Sequence, residues 1–173
     1  MKFGGRPTAA SRTGEHIGNS MRPGRGMMAG MAWFGPTCRM KIGVYLVEDS
    51  EIMSTLLREL LEGNGAAIVG HAETARTAIA DVARVRPDVV VVDIALRQGN
   101  GFDVLKAISG DSPAKRPLLV VLTNYTLKTY RSAARRFGAD FFLDKSHEIP
   151  ELLRLVRSLY HGANASKSNH NTH

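Results

Sequence analysis

Four apolar runs of the sequence each end in polar side chains: Val89–Val92 before Asp93, Lys41–Val47 before Glu48 and Asp49, Leu118–Leu122 before Thr123, and Phe141–Leu143 before Asp144 and Lys145. If these runs are parallel strands of one sheet, their carboxyl ends meet at one edge, which is where open α/β folds bind ligands. Clustered carboxylates raise one another's pKa unless a cation offsets them. The pattern therefore predicts a site where acids, a hydroxyl and an ammonium could together handle a cation and an anionic ligand.

The valine run is the strongest of these signals. Four consecutive β-branched residues, preceded by Pro87-Asp88, indicate a strand that is buried on both faces, as in the middle of a parallel sheet. Taken alone, Asp93 could simply begin the next loop. The matching chemistry at the ends of the other runs favours a functional role for it.

The elements that must position these residues alternate between strand and helix from Lys41 onward. The first helix follows Ser50, with Met53, Leu56, Leu57, Leu60 and Leu61 on one apolar face, and Gly63-Asn64-Gly65 ends it. Further helices are predicted over residues 74–86, 102–109 and 126–137, and the last is expected to end at Gly162. Five strand–helix units in this length favour a parallel sheet that is covered by helices on both faces.

The first 39 residues differ in composition from the rest. They hold eight of the 17 glycines, three of the seven prolines, and six Lys or Arg against a single acid. Such a segment buries too little apolar surface to order itself, so residues 1–39 are predicted to be a disordered tail. An alternative interpretation is that translation begins at Met40, directly before the first strand. Residues 40–162 then form the one folded domain, and residues 163–173 form a polar C-terminal tail.

Charge and cysteine content limit the classes of function. The net charge is +7, but residues 40–173 carry only +2 of it, so nucleic-acid binding is not expected of the folded part. The apolar stretch at 27–34 is far too short to span a bilayer, and we expect no membrane association. The single cysteine, Cys38, allows no internal disulfide, which favours a reducing compartment such as the cytoplasm.

The polar positions have the spacing of a known family. Asp93 lies 44 residues after Asp49, Thr123 lies 30 residues after Asp93, and Lys145 lies 22 residues after Thr123. With the stretches LVEDS at 46–50, PDVVVVD at 87–93 and GAD at 138–140, residues 40–161 resemble the receiver domain of bacterial two-component response regulators. The resemblance implies a flavodoxin-like α/β fold with a five-stranded parallel sheet in the order 2-1-3-4-5. Because few residues follow the last helix, a stand-alone, CheY-like receiver without a DNA-binding module is expected.

The family resemblance also implies the role of each site residue. Asp93 would be the phosphoacceptor, and Mg²⁺ would be bound by Asp49, Asp93 and the Ala95 backbone carbonyl, with Glu48 acting through water. Lys145 and the Thr123 hydroxyl would contact the phosphoryl oxygens. Oxygen ligands of this kind suit Mg²⁺, and phosphoryl transfer asks for little beyond positioning and charge neutralisation.

The implied function is phosphorelay signalling by protein contacts. The partners would be a sensor histidine kinase or a histidine phosphotransfer protein, together with an unidentified output protein, and a phosphorylation-dependent homodimer is compatible with the resemblance. The protein would catalyse only its own phosphorylation and dephosphorylation and is otherwise not an enzyme. On phosphorylation, Thr123 and Phe142 would switch the face formed by the fourth helix, fifth strand and fifth helix. Alternatively, Phe142 is an ordinary core residue with no part in a switch. The basic residues of the fourth helix are interpreted as a solvated helix face (Lys128, Arg131, Arg135 and Arg136).

Three positions depart from the common receiver pattern. Arg97 stands where many receivers have proline, Asn124 stands where they have a small residue, and Ser146 replaces the proline that often follows the lysine. A cis bond before serine would cost about 2.5–4 kcal/mol, so a trans Lys145–Ser146 bond is expected.

Alternative classes fit the sequence less well. A phosphatase of the haloacid dehalogenase kind needs a second Asp two residues after the nucleophile, and position 95 is Ala. The glycines at 63 and 65 follow a helix and precede a strand, which is the wrong order for a dinucleotide loop. A degenerate receiver that binds partners without phosphorylation remains the alternative function.

Overall fold

The computed structural model describes residues 41–110 and 116–168, with side chains up to residue 163. The predicted tail at 1–39 lies outside the described residues. Strands and helices alternate in the order β1 Ile42–Val47, α1 Glu51–Glu62, β2 Ala66–Ala72, α2 Ala75–Val85, β3 Val89–Val92, α3 Gly101–Ser109, β4 Leu118–Thr123, α4 Lys128–Arg136, β5 Phe141–Asp144 and α5 Ile149–Ser168. The strands form one parallel sheet in the order β2-β1-β3-β4-β5. The predicted flavodoxin-like fold is therefore confirmed.

The sheet is buried on both faces because its central strands carry apolar residues on both sides. In β3, Val90 and Val92 face a core shared with α2, α3 and α4. Val89 and Val91 face a second core shared with α1 and α5. Burying a valine side chain stabilises a fold by about 1.5–3 kcal/mol relative to leaving it exposed, so this strand fixes the centre of the domain.

Side-chain caps set the start of three helices that lead away from the functional edge. The Ser50 hydroxyl accepts from the Met53 backbone N–H at α1, the Thr74 hydroxyl accepts from the Thr77 N–H at α2, and the side-chain oxygen of Asn100 accepts from the Phe102 N–H at α3. Each cap satisfies a donor that the first helical turn leaves free. Helix α4 differs, because Leu127 occupies its N-cap position and makes no side-chain cap hydrogen bond.

The β2 edge of the sheet is irregular. The pairing of β1 with β2 shifts register between Val44 and Tyr45. The Tyr45 ring lies against Gly70 so closely that a Cβ at residue 70 would stand 2.4 Å from a ring carbon. The tyrosine hydroxyl donates to an Asp81 carboxylate oxygen at 3.0 Å. Burial is the larger cause that raises the pKa of the Tyr45 hydroxyl, and the Asp81 carboxylate raises this pKa further.

Several predicted boundaries and faces are wrong. Helix α5 continues past Gly162 to Ser168, because one glycine costs a helix only about 1 kcal/mol relative to alanine. Helix α4 begins at Lys128 and not at residue 126. On α1, Leu57 and Leu61 are buried as expected, but Leu56 is exposed, since Ser54, Leu57 and Leu61 form the buried face of this helix.

Candidate functional site

The predicted polar residues lie at the carboxyl edge of the sheet, where the strand order reverses between β1 and β3. Open α/β folds place their ligands at such a point. Glu48 and Asp49 follow β1, Asp93 follows β3, Thr123 ends β4, and Lys145 follows β5. Four of these five side chains are buried, and that of Asp49 is partly exposed.

Glu48, Asp49 and Asp93 form an acid triad. One carboxylate oxygen from each lies within 4.8 Å of those of the other two. Three carboxylates at this separation repel one another strongly unless a cation offsets them. Oxygen ligands of this type and spacing fit a hard divalent cation such as Mg²⁺, so the triad could hold one.

Lys145 supplies a resident positive charge to two members of the triad. Its Nζ donates to Asp93 Oδ2 at 2.5 Å and lies 2.6 Å from Glu48 Oε2. The side chains of Lys145, Glu48 and Asp93 are only 5%, 4% and 9% exposed, so the contacts are little screened by solvent. Lys145 therefore lies with the acids at one edge of the sheet, as the sequence predicts.

Glu48 is the member of the triad most affected by burial. Removal from water raises the pKa of its carboxyl group, and the contact with Lys145 opposes the shift without cancelling it. Its Oε1 accepts from the Ser50 backbone N–H at 3.2 Å, and the imidazole Nε2 of His71 lies 2.8 Å from its backbone carbonyl. These contacts fix the carboxylate at the end of β1.

Asp49 has a different cation. The Arg97 backbone N–H donates to Asp49 Oδ2 at 3.1 Å, and the Arg97 Nε lies 3.6 Å from the same oxygen. Arg97 Nη2 also donates to the Asp49 backbone carbonyl at 3.3 Å. In the sequence, Arg97 stood out only because many receivers have proline at this position. A non-proline residue has a backbone donor, and arginine adds a long cationic side chain, so these two properties could have indicated a contact with an acid.

The loop after β3, residues 94–100, is held against the site by its own backbone. The Ala95 N–H donates to Asp93 Oδ1 at 3.2 Å. The Gly101 N–H donates to the Ile94 carbonyl at 3.0 Å. A Cβ at residue 101 would stand 2.2 Å from the Asp93 carbonyl oxygen, so only glycine fits where α3 begins beneath the acid.

Thr123 is fully buried at the end of β4. Its hydroxyl accepts from the Tyr125 backbone N–H at 3.3 Å, and its carbonyl accepts from the Lys145 backbone N–H at 3.1 Å. Asn124 and Ser146 lie beside it at the surface, with 3.5 Å between the Ser146 hydroxyl and the Asn124 side-chain oxygen. The described peptide bonds are all trans, which confirms the expectation for Lys145–Ser146.

Phe142 is buried in the core between the sheet and α4. The guanidinium of Arg131 lies 4.6 Å from the centre of its ring, and Arg131 Nη1 donates to the Phe142 carbonyl at 2.9 Å. The interpretation of the α4 cations as a purely solvated face is therefore wrong for Arg131. Lys128, Arg135 and Arg136 are exposed, as predicted.

Comparison with known proteins supports one family. The sequence model of the response regulator receiver domain family matches residues 44–157 of this chain. The polar-differentiation response regulator DivK of Brucella anthropi is 28% identical over 124 residues, which cover 69% of this chain and 96% of the relative. The crystal structure of the response regulator domain of Thermotoga maritima CheB superposes with a TM-score of 0.62 at 26% identity, covering 70% of this chain and 97% of that one. A LuxR-family response regulator from Aurantimonas gives a TM-score of 0.63 at 25% identity, over 70% of this chain and 86% of its own.

Proposed function

The chain belongs to the response regulator receiver domain family, and we propose that it acts in phosphorelay signalling by accepting a phosphoryl group on Asp93. The donor would be the phosphohistidine of a sensor histidine kinase or of a histidine phosphotransfer protein. One observation carries the proposal. The Asp93 carboxylate is buried at the end of β3, bonded to Lys145 and within 4.8 Å of two further carboxylates.

The transfer is a displacement at phosphorus. An Asp93 carboxylate oxygen forms the new P–O bond while the P–N bond to the donor histidine breaks, and the imidazole leaves with a proton. Lys145, already bonded to Asp93 Oδ2, is placed to contact a phosphoryl oxygen. The buried Thr123 hydroxyl would exchange its bond from the Tyr125 N–H for one to another phosphoryl oxygen.

Mg²⁺ fits the residues that surround Asp93. Glu48, Asp49, Asp93 and the Ala95 carbonyl would hold it, where it would neutralise charge on the acids and on the phosphoryl group. Such neutralisation is needed because burial already disfavours the ionised form of Glu48. The role of the protein is to keep these oxygens together before the donor arrives.

We further propose that the protein catalyses only reactions of its own phosphoryl group. Hydrolysis regenerates the Asp93 carboxylate when water attacks phosphorus, the P–O bond breaks and inorganic phosphate leaves. Apart from the phosphodonor and water, no further substrate is required. Because sensor kinases present their phosphohistidine in the cytoplasm, the protein would act there. Among the described helices, none has both the length and the apolar character needed to cross a bilayer.

The proposed output face comprises α4, β5 and α5. Phe142 is already inward, held under Arg131. Phosphorylation would therefore stabilise this inward position, as Thr123 moves toward the phosphoryl group. A shift of the two-state equilibrium from about 1:99 to 99:1 needs about 5.5 kcal/mol of differential interaction. The new bonds of the phosphoryl group to Lys145 and Thr123 would have to supply it.

The test is an intact-mass measurement after incubation with Mg²⁺ and acetyl phosphate. We expect one labile phosphoryl adduct in the wild type, none in Asp93→Asn, and none when EDTA replaces Mg²⁺. Asp103→Asn is the matched control, because Asp103 is an exposed aspartate on α3 paired with Lys106 away from the triad. An adduct that persists in Asp93→Asn would refute the assignment of the acceptor. The absence of any adduct in the wild type would leave a receiver that binds partners without phosphorylation.

A further inference from the structure

Each carboxylate of the acid triad contacts a cation of the chain, and two of them share one. Lys145 contacts Glu48 and Asp93. Arg97 contacts Asp49 with its Nε at 3.6 Å and its backbone N–H at 3.1 Å. The protein's own cations thus offset two of the three negative charges, so a divalent cation would not enter a bare cluster of acids.

The position of Arg97 is set by the loop that carries it. The Ala75 N–H donates to the Gln98 carbonyl at 3.1 Å, which fixes the loop against the start of α2. On the other side of Arg97, the Ala95 N–H is bonded to Asp93. The backbone of Arg97 is therefore held at Asp49 from both sides. Its N–H can donate there because the residue is not proline, which has no backbone donor.

We propose that the Arg97 guanidinium is a built-in counter-ion of Asp49 that a divalent cation must displace, so that this side chain lowers the Mg²⁺ affinity of the site. The inference rests on the proposed phosphorelay function. Mg²⁺ needs the lone pairs of a carboxylate oxygen, and the Arg97 guanidinium and N–H both face Oδ2 of Asp49. The Arg97 side chain is 73% exposed, so it can move into water once the cation binds.

The size of the effect follows from this exposure. A solvent-exposed ion pair is worth little, and its loss changes an equilibrium by about two- to fivefold. Removing the guanidinium should therefore tighten Mg²⁺ binding by about that factor. High salt screens exposed charges, so the difference between variant and wild type should shrink as the sodium chloride concentration rises.

The experiment is a calorimetric titration of Mg²⁺ into the unphosphorylated full-length protein. Arg97→Gln is compared with Arg84→Gln, which removes the same charge from a side chain that is 74% exposed and paired with Asp81 on α2 at 3.0 Å. We expect tighter binding in Arg97→Gln, unchanged binding in Arg84→Gln, and an affinity close to wild type in Arg97→Lys. The matched control separates a local competition from a general change in net charge.

The outcomes separate this inference from the proposed function. Equal or weaker Mg²⁺ binding by Arg97→Gln, with a normal phosphoryl adduct in the wild type, would overturn the counter-ion role alone. Weaker binding would indicate that Arg97 positions Asp49 for the cation instead of competing with it. No Mg²⁺ binding by either protein would overturn both proposals.

Discussion

Replacing Lys145 with methionine removes the cation that lies between two buried carboxylates while keeping an unbranched side chain of similar length. The Lys145 Nζ lies 2.6 Å from Glu48 Oε2 and 2.5 Å from Asp93 Oδ2. Removing one partner of a buried charge pair typically costs about 3–5 kcal/mol, because the remaining charge is left uncompensated. We expect Lys145→Met to lose about that amount of unfolding free energy at pH 8 without Mg²⁺.

The pH dependence of this loss follows from the Glu48 carboxyl. Burial raises its pKa, and Lys145 is the main group that opposes the rise. Without the ammonium, the folded-state pKa of Glu48 rises further above its unfolded value of about 4.3. A group with a raised folded pKa contributes stability that is present below the unfolded pKa and is lost as the pH rises through the folded value. The deficit of Lys145→Met should therefore be small near pH 5 and grow toward pH 8.

The assay is urea unfolding followed by far-UV circular dichroism at both pH values, with EDTA present. Lys106→Met is the control, because Lys106 forms an exposed ion pair with Asp103 at 3.5 Å and should cost less than about 1 kcal/mol. Adding Asp93→Asn to Lys145→Met should recover part of the loss, since one buried charge is removed. A deficit below 1 kcal/mol, or one that is unchanged by pH and by Asp93→Asn, would refute the electrostatic argument.

Three further substitutions test the surroundings of the site by the same unfolding assay. Gly101→Ala should destabilise by about 1–3 kcal/mol, because its Cβ would stand 2.2 Å from a backbone oxygen; Gly110→Ala, with nothing within 4 Å of the new Cβ, should not. Leu127→Ser should stabilise the fold by about 1 kcal/mol, because the serine hydroxyl would supply the missing N-cap of α4. Little packing is lost, since Leu127 is 67% exposed, and a loss of stability would contradict this expectation. Burial opposes ionisation of Asp140, but hydrogen bonds from Arg116 and the Leu119 N–H outweigh it and lower its pKa. The stability from Asp140 is therefore present above about pH 3.9 and lost as the pH falls, so Asp140→Asn should cost about 2 kcal/mol at pH 7 and less at pH 3.

The sequence predicts the order of elements well because each strand is short, strongly apolar and followed by a helix start. Val89–Val92 illustrates this, since every residue of the run is buried. That Lys145 and Asp93 lie at one edge of the sheet was also predictable, because the carboxyl ends of parallel strands meet at the same edge.

The contacts of arginine side chains were not predictable in the same way. Arg97 and Arg131 each reach a backbone carbonyl and one further group, Asp49 and the Phe142 ring respectively. Long side chains have many rotamers, and only the three-dimensional position of the acceptors selects among them. The end of α5 was missed for a different reason. The helix tolerates Gly162 because no proline follows it to end the helix.

The irregular pairing at β2 affects how the protein behaves at high concentration. An edge strand offers unpaired N–H and C=O groups to any other extended chain, and long regular edges promote aggregation. Here one edge strand, β2, carries an extra residue, Val69, between the residues paired with Val44 and Tyr45. The other edge strand, β5, is only four residues long. Neither edge provides a long regular template for another strand. The same bulge that fits the Tyr45 ring over Gly70 therefore helps to protect the folded domain from growing into a continuous intermolecular sheet.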